Sequence, residues 1–194
     1  MNCIPMKEIS KPHPSRSLPR CLAALSVAFT LVLAGCHSKT APTPENFTAT
    51  LNAYFPDHPD CLFPDAPRFP FETSDPVKTK QMNALVKAQL LTVAVEPSIH
   101  ASRYTPTTTG ARSAPRFCYG HRKVIDISSF TPPAQQNGFP ETSVTYQYTM
   151  QDVPVWAKDD AVLVNFPDMA KRVMGPSTGT IVLAGTMAGW QVPN

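Results

Sequence analysis

Val144-Thr145-Tyr146-Gln147-Tyr148-Thr149-Met150 alternates apolar and polar residues without interruption. Successive side chains on a strand point to opposite faces, so this spacing predicts a β-strand burying Val144, Tyr146, Tyr148 and Met150. Pro154 closes it. Just upstream, Thr131-Pro132-Pro133 to Pro140 reads as a turn region with Asn137-Gly138 as its sharpest signal. Before that turn, Arg116 to Ser128 reads as a further strand. Downstream, Trp156 to Phe166 reads as helical. Pro167 opens another helical segment through Met169, Ala170 and Val173, which Gly175-Pro176 stops. Thr178 to Met187 and Trp190 to Val192 then form a closing hairpin around Ala188-Gly189.

The region before Arg116 is organised by proline. Thr43-Pro44-Glu45 has the form of a helix start, with Thr43 as N-cap, Pro44 at the first helical position and an acid in the first turn. Phe47, Leu51, Tyr54 and Phe55 continue it as one apolar stripe, and Pro56 is expected to end it. Residues 56–76 carry six prolines (Pro56, Pro59, Pro64, Pro67, Pro70 and Pro76), which excludes a regular helix. An extended, irregular segment is expected there, held to the core by Leu62, Phe63, Phe69 and Phe71. Asp75-Pro76 opens a second helix with an apolar face of Met82, Leu85, Val86 and Leu90, expected to end near Leu91. Leu91 to Val95 reads as a strand, followed by a loop that includes Ser102 to Gly110.

The fold class that follows is α+β: N-terminal helices packed on an antiparallel sheet, with a late helix and a C-terminal hairpin. The order helix, strand, loop, strand around Asn83 to Leu91 resembles the second half of a winged-helix domain. On that resemblance Arg103-Tyr104-Thr105 followed by Gly110 would be the wing tip. Gln89 stands where such domains often have Gly.

Leu33-Ala34-Gly35-Cys36 ends an apolar run from Cys21 to Leu33, and Lys7, Lys11, Arg16 and Arg20 precede that run. A basic lead, a short apolar segment and a small-residue cleavage site are the parts of a secretory signal. With Cys after the small pair, the stretch resembles the lipobox of a bacterial lipoprotein precursor. The alternative is an ordinary secretory signal in which Cys36 is incidental. The run is too short for the roughly 20 apolar residues of a membrane-spanning helix. The resemblance implies a signal peptide at 1–35 and fatty acylation (palmitate or similar) on Cys36. It also implies a tether at 36–42 and a single α+β domain at 43–194, lipid-anchored in the bacterial envelope. His37 in place of Asp favours the outer membrane, facing the periplasm; Met6 is an alternative start.

Removal of the leader changes the charge. Four of the 17 basic residues and one of the 14 acidic residues lie within 1–35, which leaves 13 of each sign. A neutral mature chain gives no argument for a nucleic-acid partner. It also leaves Cys61 and Cys118 beside the acylated Cys36. In an oxidising compartment two thiols most simply form one disulfide; two separate buried thiols are the alternative.

From Pro97 to Ile125 the charged side chains are Arg103, Arg112, Arg116, Arg122 and Lys123, with no acid, whereas the proline-rich segment is acidic. These five form the candidate anion-binding set. A Cys61–Cys118 bond would draw the two segments together, and the charges are then expected to satisfy each other as surface pairs of about 0–1 kcal/mol each. In the sharper alternative the Arg103 to Arg112 loop stays free for anionic lipid or an envelope protein. His58, His100 and His121 are dispersed and read as surface residues. Asp57-His58-Pro59-Asp60 reads as a solvated loop. No nucleophile motif, metal-ligand spacing or phosphate loop is recognised, so no catalytic residue, metal or cofactor is assigned. The expected role is non-catalytic, binding a partner or supporting an envelope process. The alternative is an envelope hydrolase acting on cell-wall or lipid material, which would need a convergent His/Asp/Ser group in a pocket.

Overall fold

A computed structural model describes residues 38–136 and 138–193. The apolar run, Cys36 and Asn137 of the predicted turn lie outside the described residues. In chain order the elements are α1 (Pro44–Tyr54), β1 (Phe71–Thr73), α2 (Pro76–Lys87), β2 (Leu91–Glu96), β3 (Ala101–Pro106), β4 (His121–Phe130), β5 (Ala134–Gln136), β6 (Phe139–Gln151), α3 (Asp160–Asn165), α4 (Pro167–Met174), β7 (Ser177–Thr186) and β8 (Gly189–Gln191). The fold is mixed α and β, with antiparallel sheets and four α-helices among the described residues. None of these helices is long and apolar enough to cross a membrane.

The strands form two sheets rather than one. The larger has the order β4-β6-β7-β8, with β5 also pairing β6; the smaller has the order β1-β3-β2. Strand β6 is the spine of the larger sheet. Its alternation is realised: Val144, Tyr146, Tyr148 and Met150 are buried, joined by Thr142 at the same period. Both long neighbours pair with it, Arg122 opposite Met150 on one side and Ile181 opposite Val144 on the other.

Caps set the helices. The Thr43 hydroxyl accepts from the Asn46 N–H, and the Asp75 carboxylate accepts from the Lys78 N–H at 2.7 Å. Helix α2 stops at Lys87, four residues before the expected end, because the chain turns left-handed at Gln89 (φ +62°). The Leu90 N–H then reaches the Leu85 carbonyl and the Gln89 N–H the Val86 carbonyl, a paired closure usually built on Gly. Gln89 thus does the work of the absent glycine. The expected run from Trp156 to Phe166 is also divided: a 3₁₀ turn covers Val155–Lys158, and Asp159 caps α3 by accepting from the Ala161 N–H.

Two expected loops contain strands. Ser102 to Gly110 holds most of β3, so Arg103-Tyr104-Thr105 is mid-strand and the β2–β3 connection is Pro97–His100 instead. Only Tyr104 of this strand is fully buried, its hydroxyl bonded to the Asn83 side chain at 3.0 Å; one inward residue leaves no alternation to read. Likewise Phe71–Thr73 of the proline-rich segment pairs with β3. Gly110 marks a close approach, since a Cβ there would fall 1.8 Å from the Leu90 carbonyl oxygen.

Helix α1 lies on the larger sheet through Phe47, Leu51 and Phe55. Phe47 meets Trp190 edge-to-face at 5.2 Å and Phe130 at 5.0 Å. The Trp190 indole N–H donates to the Ala41 carbonyl at 3.1 Å. The Asn46 side chain donates to the carbonyls of Ser38 and Ala41, so residues 38–42 of the expected tether are held against the domain. Trp190 is 6% exposed although only four residues follow it in the sequence given. Truncation after Gly189, or Trp190→Ala, should cost about 3–5 kcal/mol, as loss of a buried large aromatic does. Chemical denaturation of the variant against the parent measures it; an unchanged midpoint would show that the last strand is dispensable.

Candidate functional site

The proline-rich segment is fixed to the chain before β4 by a short backbone ladder. Asp60 N–H donates to the Gly120 carbonyl, Tyr119 N–H to the Asp60 carbonyl, and Leu62 N–H to the Phe117 carbonyl. In the middle of this ladder Cys61 and Cys118 form a disulfide. This is the pairing expected of Cys61 and Cys118 from the sequence.

The ladder carries Asp60 inward, where its carboxylate gathers two cations. Arg122 of β4 donates to it through Nε and Nη2, both at 2.8 Å, a planar two-bond match between guanidinium and carboxylate. Arg172 of α4 donates to the same carboxylate at 3.0 Å and to the Tyr119 hydroxyl at 3.2 Å, both from Nη1. The remaining Arg122 nitrogen donates to the Tyr146 hydroxyl at 2.8 Å. The Arg122 guanidinium also lies over the rings of Phe55 and Tyr148. The Asp60 side chain is 11% exposed, so Asp60 departs from the solvated loop expected of Asp57–Asp60, in which Asp57 and His58 are exposed as expected. Among the described residues no buried side-chain polar atom lacks a hydrogen-bond partner.

The electrostatics follow from burial and this geometry. The hydrogen bonds that Arg122 donates to the Asp60 carboxylate hold it firmly protonated against its desolvation. Burial opposes the charge on Arg172, but Tyr119, Tyr148 and Asp60 together outweigh it and raise its pKa. Burial raises both phenols above the ordinary 10.0; Asp60 adds to the effect on Tyr119, while Arg122 partly offsets it at Tyr146.

One side of the centre opens into a groove of about 580 Å³ whose lining includes Asp60, Arg116, Tyr119, Phe166, Met169 and Arg172. Two guanidiniums share the Asp60 carboxylate; with Arg116 and the Asp168 carboxylate also on the groove, three cations meet two acids and the formal balance is one positive charge. Arg172 is 37% exposed, and its hydrogen bonds among the described residues run through a single nitrogen, leaving further N–H donors without a partner there. Arg116 is exposed on the same groove, with no side-chain partner among the described residues. Such an arrangement can hold a carboxylate or phosphate by charge-assisted hydrogen bonds.

The five basic residues of the expected anion site are not one site. Arg103, on β3, pairs with Glu72 at 2.9 Å and lies 3.9 Å from Glu96, so it is not free. Arg122 is consumed by Asp60. Asp60 and Glu72 belong to the proline-rich segment, so the two oppositely charged segments meet at two of the five cations, and the expected mutual satisfaction holds only in part. The Asp60 pair is interior, however, which corrects the expectation of surface pairs alone. Arg112 is exposed on a 3₁₀ turn and Lys123 is exposed on β4; only Arg116 reaches the groove. The structure adds Arg172 and Tyr119. A Cys61–Cys118 bond already places Asp60 and Tyr119 in adjacent positions, whereas nothing local to Arg172 signals its role 112 residues from Asp60.

The histidines have separate partners. His58 stacks on Tyr54 with ring centroids 3.7 Å apart, and His121 lies 3.4 Å from Asp152. His100 sits in the left-handed turn before β3. Among the described residues no three His, Cys, Asp or Glu side chains are grouped to hold a metal ion. A second groove, of about 610 Å³, lies between α1 and β8 and includes Tyr54, His58 and Thr50. Compared with known protein families, curated proteins and solved structures, the chain matches none of them.

Removing the shared carboxylate leaves two cations facing each other. Asp60→Ala should cost about 3 kcal/mol, the low end for breaking a buried pair because both arginines retain some water. Arg172→Ala should cost less than about 1 kcal/mol. Equal midpoints for Asp60→Ala and parent in urea would show that the centre is not a stability element. The phenols predict an alkaline limit. The unfolded chain loses tyrosine protons first as pH rises past about 10, so stability should fall from there upward. The fall should be shallower in Tyr119→Phe; identical slopes would exclude Tyr119 as a contributor.

Proposed function

We propose that the chain is a lipid-anchored lipoprotein of the bacterial envelope, attached through Cys36 at the outer membrane and facing the periplasm. In this reading its folded part binds, without catalysis, an anionic group of an envelope partner. The binding site is the groove formed by Arg116, Arg172 and Tyr119. One observation carries the site: two guanidiniums share the Asp60 carboxylate while Arg116, on the same groove, has no partner among the described residues. The lipobox supports the address.

The Asp60–Arg122 pair holds Arg172 in place through Asp60, so a ligand would not have to order the arginine that receives it. Specificity would come from the bidentate capacity of Arg116 and the remaining donors of Arg172. Phe166 and Met169 would offer apolar contact beside the anion.

Two measurements test the two halves separately. Cys36→Ser should abolish fatty-acid labelling; labelling that persists in the variant would remove the anchor. Titration with pyrophosphate and with a short glutamate-rich peptide should show saturable, salt-sensitive binding that Arg116→Gln/Arg172→Gln weakens about tenfold or more. Equal affinity in parent and variant for both probes would reject the groove as the site.

A further inference from the structure

The end of the molecule opposite this groove is apolar. Met187, at the tip of the β7–β8 turn, is fully exposed, and Phe139 at the start of β6 is 49% exposed. With Pro42, Pro133, Pro140 and an edge of Trp190 they line one apolar groove of about 530 Å³. Large apolar side chains gathered in water mark a surface that meets lipid or another molecule.

The beginning of the described chain is fixed at this same end. The Trp190 indole holds the Ala41 carbonyl, Gly189 packs against Lys39, and Thr40 lines the groove beside Met187. Cys36 precedes Ser38 by two residues, a reach of no more than about 7 Å of extended chain. Acyl chains on Cys36 would therefore enter a bilayer close to Met187 and Phe139, with the Lys39 cation beside them where anionic head groups lie. The strand geometry sets the other end. From Phe139 to Met150, the residue opposite Arg122, β6 rises about 35 Å.

We infer that the Thr186–Gly189 turn and the start of β6 rest on the membrane surface, with Met187 and Phe139 in contact with lipid. The orientation this imposes presents the Asp60–Arg172 groove away from the bilayer. The inference rests on the Cys36 anchor of the proposed function, and it adds a second, non-covalent contact that converts a flexible attachment into an oriented one. One lipid chain binds only marginally, and an apolar contact next to the anchor adds to its hold.

Bromolipid quenching reads the contact directly. The full-length acylated protein would be reconstituted in vesicles of phosphatidylethanolamine and phosphatidylglycerol containing brominated chains. Met187→Trp is compared with Val155→Trp, each against the baseline of the native Trp156 and Trp190. Val155 is 89% exposed in the 3₁₀ turn just beyond the far end of β6. Both variants should melt with the parent, since both positions are exposed turns. The added fluorescence of Met187→Trp should be quenched about threefold or more above that of Val155→Trp. Equal or weaker quenching at position 187, in protein whose mass shows an acylated Cys36, would overturn the lipid contact and leave the anchor standing. Concentration-dependent crosslinking through position 187 without quenching would assign the surface to a second copy and overturn it as well. A mature mass without acyl groups would overturn the anchor and this inference together.

Discussion

The Asp60 carboxylate is the point on which the rest of the structure depends. It is supplied by a proline-rich segment that cannot form a helix, and it receives Arg122 from the larger sheet and Arg172 from α4. Three stretches of chain remote in sequence are therefore held by one charged group. The disulfide at the next residue fixes the same crossing covalently, and the backbone ladder around it leaves the segment little freedom. A buried ion pair is not by itself a source of stability, because both partners lose water. Here the desolvation is offset by three nitrogen-to-oxygen bonds on the carboxylate, one on each of the Tyr146 and Tyr119 phenols, and the aromatic rings under Arg122. What the centre adds is a set of partners that ties the proline-rich segment to β4 and α4 in one register.

Around that centre the core is built mostly from aromatic contacts. Phe47, Trp190 and Phe130 meet at one end of β6, while Phe63, Phe69, Phe117, Trp156 and Phe166 meet around the ladder. Rings of this size bury much area per residue, which suits a chain in which the proline-rich stretch contributes few regular elements. The smaller sheet is less covered: Val93 and Val95 of β2 are exposed, and Arg103 is spent on Glu72 and Glu96 across its surface. Tyr104 alone of β3 joins the fully buried core, and its hydroxyl ties the sheet to α2.

The length of β6 gives the molecule two chemically different ends. Near Phe139 the surface is apolar and the first described residues are pinned by Trp190; near Met150 the surface is charged and grooved. A lipid-anchored protein that must present a site to solvent is served by such a polarity, since the covalent anchor alone leaves orientation free. The formal charge balance of the groove around Asp60 is small, so selectivity there would arise from local geometry and not from an overall field.

Several features were legible in the sequence because they depend on neighbours in the chain. The period of Val144, Tyr146, Tyr148 and Met150, the caps at Thr43 and Asp75, and the closing hairpin with a buried Trp190 are of this kind. Cys61 and Cys118 could be paired because the lipobox resemblance sets the other three cysteines aside. Strand β3 was not legible, since a single inward tyrosine makes no periodic signal. Nor was the stop of α2, because Gln89 adopts a conformation that composition assigns to glycine. Asp60 read as solvated since its three neighbours are polar or proline, and Arg172 lies on a short helix where Asp168, four residues earlier, offers a local partner that hides the distant one. Local periodicity determines which faces are apolar. Which carboxylate lies beside which guanidinium is decided only when segments separated by 62 and 112 residues close on one another, because a charge loses its water only where the tertiary structure supplies a partner.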